Sequence, residues 1–109
     1  MDWNDRGTLK KERERMNPND ILGDVACIAG IPVGYIVGKR KTAGIVVART
    51  LAFAAIKSAF PFWSRIEIAR FLGREDGSTT AYALKRFDDY IQTMPEFKRM
   101  ADELGITRA

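Results

Sequence analysis

Apolar residues in this chain recur at the three- and four-residue spacing of helices, and turn residues separate the runs. The cluster Asn17-Pro18-Asn19-Asp20 is typical of a helix start, and the apolar positions that follow it stop at Gly30. Pro32 then opens a short segment that reaches Val37 and ends at Gly38. The first third of the chain therefore predicts a core helix followed by a short helix.

The stretch from Thr42 to Ala59 is apolar nearly all round. Its polar residues recur about every seven positions, which on a helix makes one narrow stripe. We expect a long central helix in the core of a bundle, with Arg49 and Lys57 on its one exposed edge.

A short helix, a turn and a longer helix follow. Ser64-Arg65-Ile66-Glu67 has the form of a capping box, so a helix should begin at Arg65 and end at Gly73. Residues 74–77 supply a turn, and Ser78-Thr79-Thr80 opens the next helix, whose inner stripe includes Ala83 and Phe87. This order is that of a helix-turn-helix.

Pro95 opens a final helix, and Gly105-Ile106 has the form of a glycine stop followed by an apolar contact. The helical periods predict an all-α fold, a compact bundle of about five to six helices that contains the helix-turn-helix. Residues 1–17 form a charged N-terminal extension, helical or disordered, and residues 18–109 form the single domain.

Charge changes this picture, because it is not spread evenly over the 109 residues. The net charge is +4. Residues 37–87 hold ten basic and three acidic residues, a surplus of seven, whereas the rest of the chain sums to −3. Lys39-Arg40-Lys41 forms a basic corner within this segment. A basic middle suits a surface for a polyanion, although it also suits an ordinary solvated surface.

The helix that starts at Ser78 carries small hydroxyl side chains at its amino end. A recognition helix enters the major groove by that end, where short polar side chains approach base edges and free amides favour phosphate. Tyr82, Lys85 and Arg86 are expected to point outward on the same helix. With the basic corner, these features favour DNA reading over simple helix capping.

Residues 20 to about 92 resemble the C-terminal DNA-binding domain of the bacterial replication initiator DnaA. Lys39-Arg40-Lys41-Thr42 falls at that family's basic loop, and Val47-Ala48-Arg49 leads into its alanine-rich helix. Residues 64–73 are similar to the first helix of its helix-turn-helix. Residues 74–79 occupy the positions of its glycine, arginine, aspartate, histidine and two threonines.

The resemblance implies a major-groove helix beginning near Ser78 and a basic loop that probes the minor groove. It implies base or groove contacts for Asp76, Ser78 and Thr79, a minor-groove probe at Lys41, and phosphate contacts for Lys39, Arg49, Lys57, Arg65 and Arg86. The full expected DNA-binding set adds Arg40, Arg74, Gly77, Tyr82 and Lys85. The chain departs from the family at Gly77, Glu75 and Lys41, where the family has histidine, arginine and usually arginine, so the preferred DNA sequence should differ.

The sequence gives little support for catalysis, metal binding or nucleotide binding. The chain has no histidine and one cysteine, Cys27, which its apolar surroundings predict to be a core thiol. Trp63, beside two phenylalanines, is expected to form a core corner rather than a base-stacking platform. No nucleotide-binding loop of the Gly-x-x-x-x-Gly-Lys type occurs. We therefore expect a protein that is not an enzyme and uses no cofactor, metal or small-molecule substrate.

These observations predict a sequence-specific regulator of transcription or replication that binds double-stranded DNA. We expect a cytoplasmic, nucleoid-associated monomer without membrane contact. One alternative is a protein-interaction module that docks an RNA polymerase subunit or a replication protein through the charged segment before Asn17. Another is an architectural DNA binder without base preference.

Overall fold

The computed structural model describes residues 17–106, which form helices and no strands. This confirms the all-α prediction. The helices, numbered in chain order, are α1 (Pro18–Ala29), α2 (Val33–Val37), α3 (Ala43–Ala59), α4 (Arg65–Phe71), α5 (Ser78–Thr93) and α6 (Pro95–Glu103). Residues 1–16 of the expected extension, and residues 107–109, lie outside the described part.

Local signals account for where the helices begin and end. Asn17 caps α1 by accepting a hydrogen bond from the backbone N–H of Asp20 at 3.1 Å. Gly30 ends α1 in the left-handed conformation with φ 72°. The predicted capping box of α4 is present, with Ser64 Oγ accepting from the Glu67 N–H and Glu67 Oε1 accepting from the Ser64 N–H. These boundaries match the sequence prediction because they depend on residues within one turn.

The long helix α3 is the centre of the bundle, since α1, α2, α4, α5 and α6 all contact it. Its side chains Leu51, Phe53 and Ile56 are fully buried, and they meet Ile68 of α4 and Phe97 of α6 in one core. A helix surrounded on most sides needs apolar residues on most sides. This explains why the sequence of α3 lacks a broad polar face.

The two helices of the helix-turn-helix, α4 and α5, are fixed to each other and to α2. Thr80 is buried, and its hydroxyl donates to the backbone carbonyl of Arg65 at 2.7 Å. Gly73 has φ 82°, and a Cβ atom added there would lie 2.5 Å from the Val37 carbonyl oxygen. Only glycine allows the turn to approach α2 this closely.

Two smaller expectations have different outcomes. Cys27 is exposed, so its assignment as a core thiol is wrong. It follows the inward-facing Val25 by two residues, about 200° around the helix, which places it on the outer side. Trp63 packs against the core and stacks on Phe60 at 4.9 Å between ring centres, as expected of a core corner.

None of the helices described is long and apolar enough to cross a membrane.

Candidate nucleic-acid interface

The basic loop, residues 38–42, connects α2 to α3 and carries Lys39, Arg40 and Lys41 as exposed side chains. The Arg40 guanidinium lies over the ring of Tyr35 at 4.6 Å from its centre. Such a cation–π contact holds the arginine against α2 while its charged group remains accessible. The loop therefore presents its positive charge from a defined position.

Arg49 of α3 shapes this loop from below. Its Nε donates to the Ile36 carbonyl at 2.7 Å, and its Nη2 lies 2.9–3.1 Å from the carbonyls of Tyr35, Gly38 and Arg40. The last carbonyls of a helix have no partner within the helix and carry the negative end of its dipole. Arg49 therefore caps the C-terminus of the five-residue helix α2 and continues into the loop.

The expectation that Arg49 lies on an exposed edge is wrong, since its side chain is only 8% exposed. The polar stripe of α3 is real, but α2 and the basic loop cover it at this point. The phosphate contact assigned to Arg49 stays a prediction. Its Nε and Nη2 groups are already bonded to backbone carbonyls within the protein.

Arg74, in the turn between α4 and α5, reaches the same loop. Its Nη1 donates to the Val37 carbonyl at 3.1 Å, and its Nη2 donates to the Gly38 carbonyl at 2.8 Å. The Gly38 carbonyl thus accepts from both Arg49 and Arg74. Arg74 thus joins the basic loop to the helix-turn-helix, and Arg49 joins the loop to α3; the sequence did not indicate either positioning role.

Burial lowers the pKa of both guanidiniums from its ordinary value. For Arg49 the charge of Arg74 lowers the pKa further. Two like charges therefore lie close to one another at the junction of the loop and the turn.

The amino end of α5 is organised by Asp76. Its Oδ1 accepts from the Ser78 N–H at 2.9 Å, and its backbone carbonyl accepts from the Thr79 N–H at 3.0 Å. Hydrogen bonds from the Ser78 N–H and then from the Ser78 side chain lower the pKa of Asp76. The amides expected to be free for phosphate are thus bonded within the protein, and the exposed groups here are side chains.

Gly77 brings the starts of α4 and α5 together. A Cβ atom added at Gly77 would lie 3.3 Å from the Ile66 nitrogen and 3.5 Å from the Arg65 Cβ. A side chain at this position would push against the first turn of α4. Gly77 therefore has a packing role in this protein, at the position where the resembling family has a histidine.

A cavity of about 400 Å³ lies between the basic loop, α3 and α5. It brings together six of the residues predicted from the sequence, namely Lys41, Arg49, Arg74, Thr79, Tyr82 and Arg86. The other lining residues are Val46, Thr50, Phe53 and Ala83. The lining contains four basic residues and no acidic one.

The remaining predicted residues lie outside this lining. Lys39, Arg40, Arg65, Ser78 and Lys85 are exposed. Lys57, near the far end of α3, is half-buried and donates from Nζ to the Pro61 carbonyl at 3.3 Å. Their contacts with DNA stay predictions.

Between residues 17 and 106 no group of three or more histidine, cysteine, aspartate or glutamate side chains is placed to hold a metal ion.

Comparison with known proteins gives one informative similarity. The chain is 27% identical over 96 residues to the chromosomal replication initiator protein DnaA of Aliarcobacter butzleri (strain RM4018). The matched segment is 88% of this chain but 22% of that initiator, at its C-terminal end. The chain thus spans about a fifth of this curated relative. Neither a family model nor a solved structure matches. The similarity supports a DnaA-like domain and agrees with the resemblance seen in residues 20–92.

Proposed function

We propose that this protein binds double-stranded DNA with sequence preference and regulates replication or transcription by occupying sites rather than by catalysis. The observation that carries the proposal is that Arg49 of α3 and Arg74 of the helix-turn-helix both donate to the Gly38 carbonyl of the basic loop. It gives one rigid surface with positive charge beside the amino end of α5.

A rigid surface matters because phosphate contacts fix the register of a protein on the duplex, and base contacts then select the sequence. In this proposal the basic loop lies along the minor groove, with Lys41 as its probe. The amino end of α5 enters the adjacent major groove, where Ser78 and Thr79 approach base edges. The similarity to the C-terminal end of the initiator supports DNA binding by this domain.

The preferred sequence should differ from that of the initiator family. Gly77 has no side chain at the position of a base-contacting histidine, and a good base contact carries about 1–3 kcal/mol of discrimination. The exposed carboxylate of Glu75 replaces an arginine, which changes the charge presented to DNA. The proposal therefore keeps the docking geometry and not the consensus site.

The test is a selection from random double-stranded oligonucleotides, followed by a titration of affinity against salt. Enrichment of one motif, with affinity that falls steeply as salt rises, supports the proposal. Salt-sensitive binding with no enriched motif identifies an architectural binder instead. Absence of DNA binding at low salt refutes both and leaves the protein-interaction alternative.

A further inference from the structure

The cavity beside α5 concentrates positive charge in a way that DNA docking in general does not require. Lys41, Arg49, Arg74 and Arg86 line a space of about 400 Å³, and no acidic residue lines it. Basic side chains that are only exposed to solvent tend to lie apart, because like charges repel. Here the fold holds them around one space.

Backbone carbonyls, not carboxylates, hold the two most buried of these cations. Arg49 and Arg74 both donate to the Gly38 carbonyl, at 3.1 and 2.8 Å. A carbonyl satisfies a hydrogen-bond donor but carries only a partial charge, so the repulsion between the guanidiniums is not neutralised. An anion between them would neutralise it.

The chemistry of the lining selects the kind of anion. The Arg86 fork and the Lys41 ammonium match the oxygens of phosphate, and Thr79 and Tyr82 add hydroxyl donors. Arg49 and Arg74, which donate to backbone carbonyls, contribute positive charge to the lining. Val46, Phe53 and Ala83 make the rest of the wall apolar, which strengthens charge–charge attraction inside the cavity. The set suits a small, highly charged anion better than a carboxylate-bearing chain.

We propose that the cavity between the basic loop, α3 and α5 is a binding site for a single phosphate group. A DNA backbone phosphate or free phosphate supplies it. The DNA source rests on the proposed function, whereas the binding of free phosphate does not. In the complex with DNA, the site would hold one backbone phosphate between the basic loop and α5. Free phosphate would then compete with DNA for the site.

The first arm of the test titrates inorganic phosphate into the full chain, with ionic strength held constant by chloride, and follows backbone amide and arginine Nε resonances by NMR. Saturable shifts are expected at Thr79, Tyr82, Arg49 and Arg74. Arg86→Gln and Lys41→Gln should each weaken phosphate binding about tenfold, because each removes one charge-assisted contact. Both side chains are exposed, so neither substitution disturbs the core.

Lys85→Gln is the matched control, because Lys85 is an exposed cation on the same helix that does not line the cavity. It should change phosphate affinity less than about twofold, as expected for a screened surface charge. Equal weakening by Lys85→Gln and Arg86→Gln, or the absence of saturable shifts at the cavity, overturns the proposal.

The second arm replaces phosphates of a bound duplex one at a time with uncharged methylphosphonates. If the cavity holds a DNA phosphate, one position should weaken wild-type binding strongly and Arg86→Gln binding little. Saturable phosphate binding without such a position assigns the site to free phosphate. If the protein binds no DNA and yet binds phosphate in the cavity, the proposed function fails and this inference stands.

Discussion

Substituting Arg49 tests whether this residue organises the basic loop or is only a surface cation. Arg49→Ala removes all four donor contacts that hold the end of α2 and the loop. Arg49→Lys keeps the positive charge but replaces a planar fork by a single ammonium group. If organisation of the loop is the function of this residue, both substitutions should destabilise the protein.

The hydrogen bonds set the expected size of the effect. A bond to a charged group contributes about 1.5–3 kcal/mol, and leaving a buried acceptor without a donor costs about 1–3 kcal/mol. The Gly38 carbonyl keeps Arg74 as a donor, and carbonyls freed by loop opening regain water. We expect Arg49→Ala to lower the free energy of unfolding by about 3–4 kcal/mol, and Arg49→Lys by about 2 kcal/mol.

Urea denaturation without DNA measures these differences, and amide hydrogen exchange shows where they arise. Exchange should accelerate most at Tyr35 and Ile36, because their N–H groups bond to the Pro32 carbonyl in α2, the helix whose C-terminal end Arg49 holds. Lys85→Ala serves as the control, because an exposed substitution normally changes stability by less than about 0.5 kcal/mol. An unfolding free energy for Arg49→Ala equal to that of Lys85→Ala would refute the reasoning, because Arg49 would then contribute no more to stability than an exposed cation does.

Three further predictions address the interface and the turn. In the oligonucleotide selection, Thr79→Ala should relax base preference whereas Lys57→Ala should weaken all sequences about equally; the reverse pattern contradicts the groove assignment. Gly73→Ala should lower the unfolding free energy by about 2–3 kcal/mol through its left-handed backbone and close carbonyl. Its control, Gly23→Ala in open space on α1, should stabilise by roughly 0.5–1 kcal/mol, and equal effects argue against the close approach. The carboxyl of Asp76 has a lowered pKa, so its stabilising contribution is complete above about pH 3.9 and is lost as pH falls through the lowered pKa. An NMR titration should place its midpoint below 3.9, and a midpoint at or above that value contradicts the cap.

The sequence predicted the helices well, because their limits depend on neighbouring residues. The capping box at Ser64, the stop at Gly30 and the start at Pro95 each depend on contacts within about one turn, and the structure has all three. The nearly all-apolar sequence of α3 also predicted its position at the centre of the bundle. Six of the residues predicted to bind DNA line the cavity beside α5, so these residues lie together in space, while their contacts with DNA stay predictions.

Tertiary structure decided the roles of individual side chains within that surface. Arg49 bonds to carbonyls 9 to 14 positions away, and Arg74 reaches carbonyls 36 and 37 positions away. No pattern along the chain encodes such pairs, because a charged residue has the same periodicity whether water or a folded loop covers it. The exposed Cys27 shows the converse, an apolar neighbourhood in sequence that faces outward in space.

The sequence by itself thus determined where the helices lie, where positive charge accumulates and which helix leads with hydroxyl groups. Only the tertiary structure decided that Arg49 and Arg74 donate hydrogen bonds to backbone carbonyls and that four basic residues line one cavity. The physical reason is the separation along the chain over which each kind of interaction acts. Helix periods and caps act over three or four residues, whereas burial and charge proximity depend on which distant segments pack together.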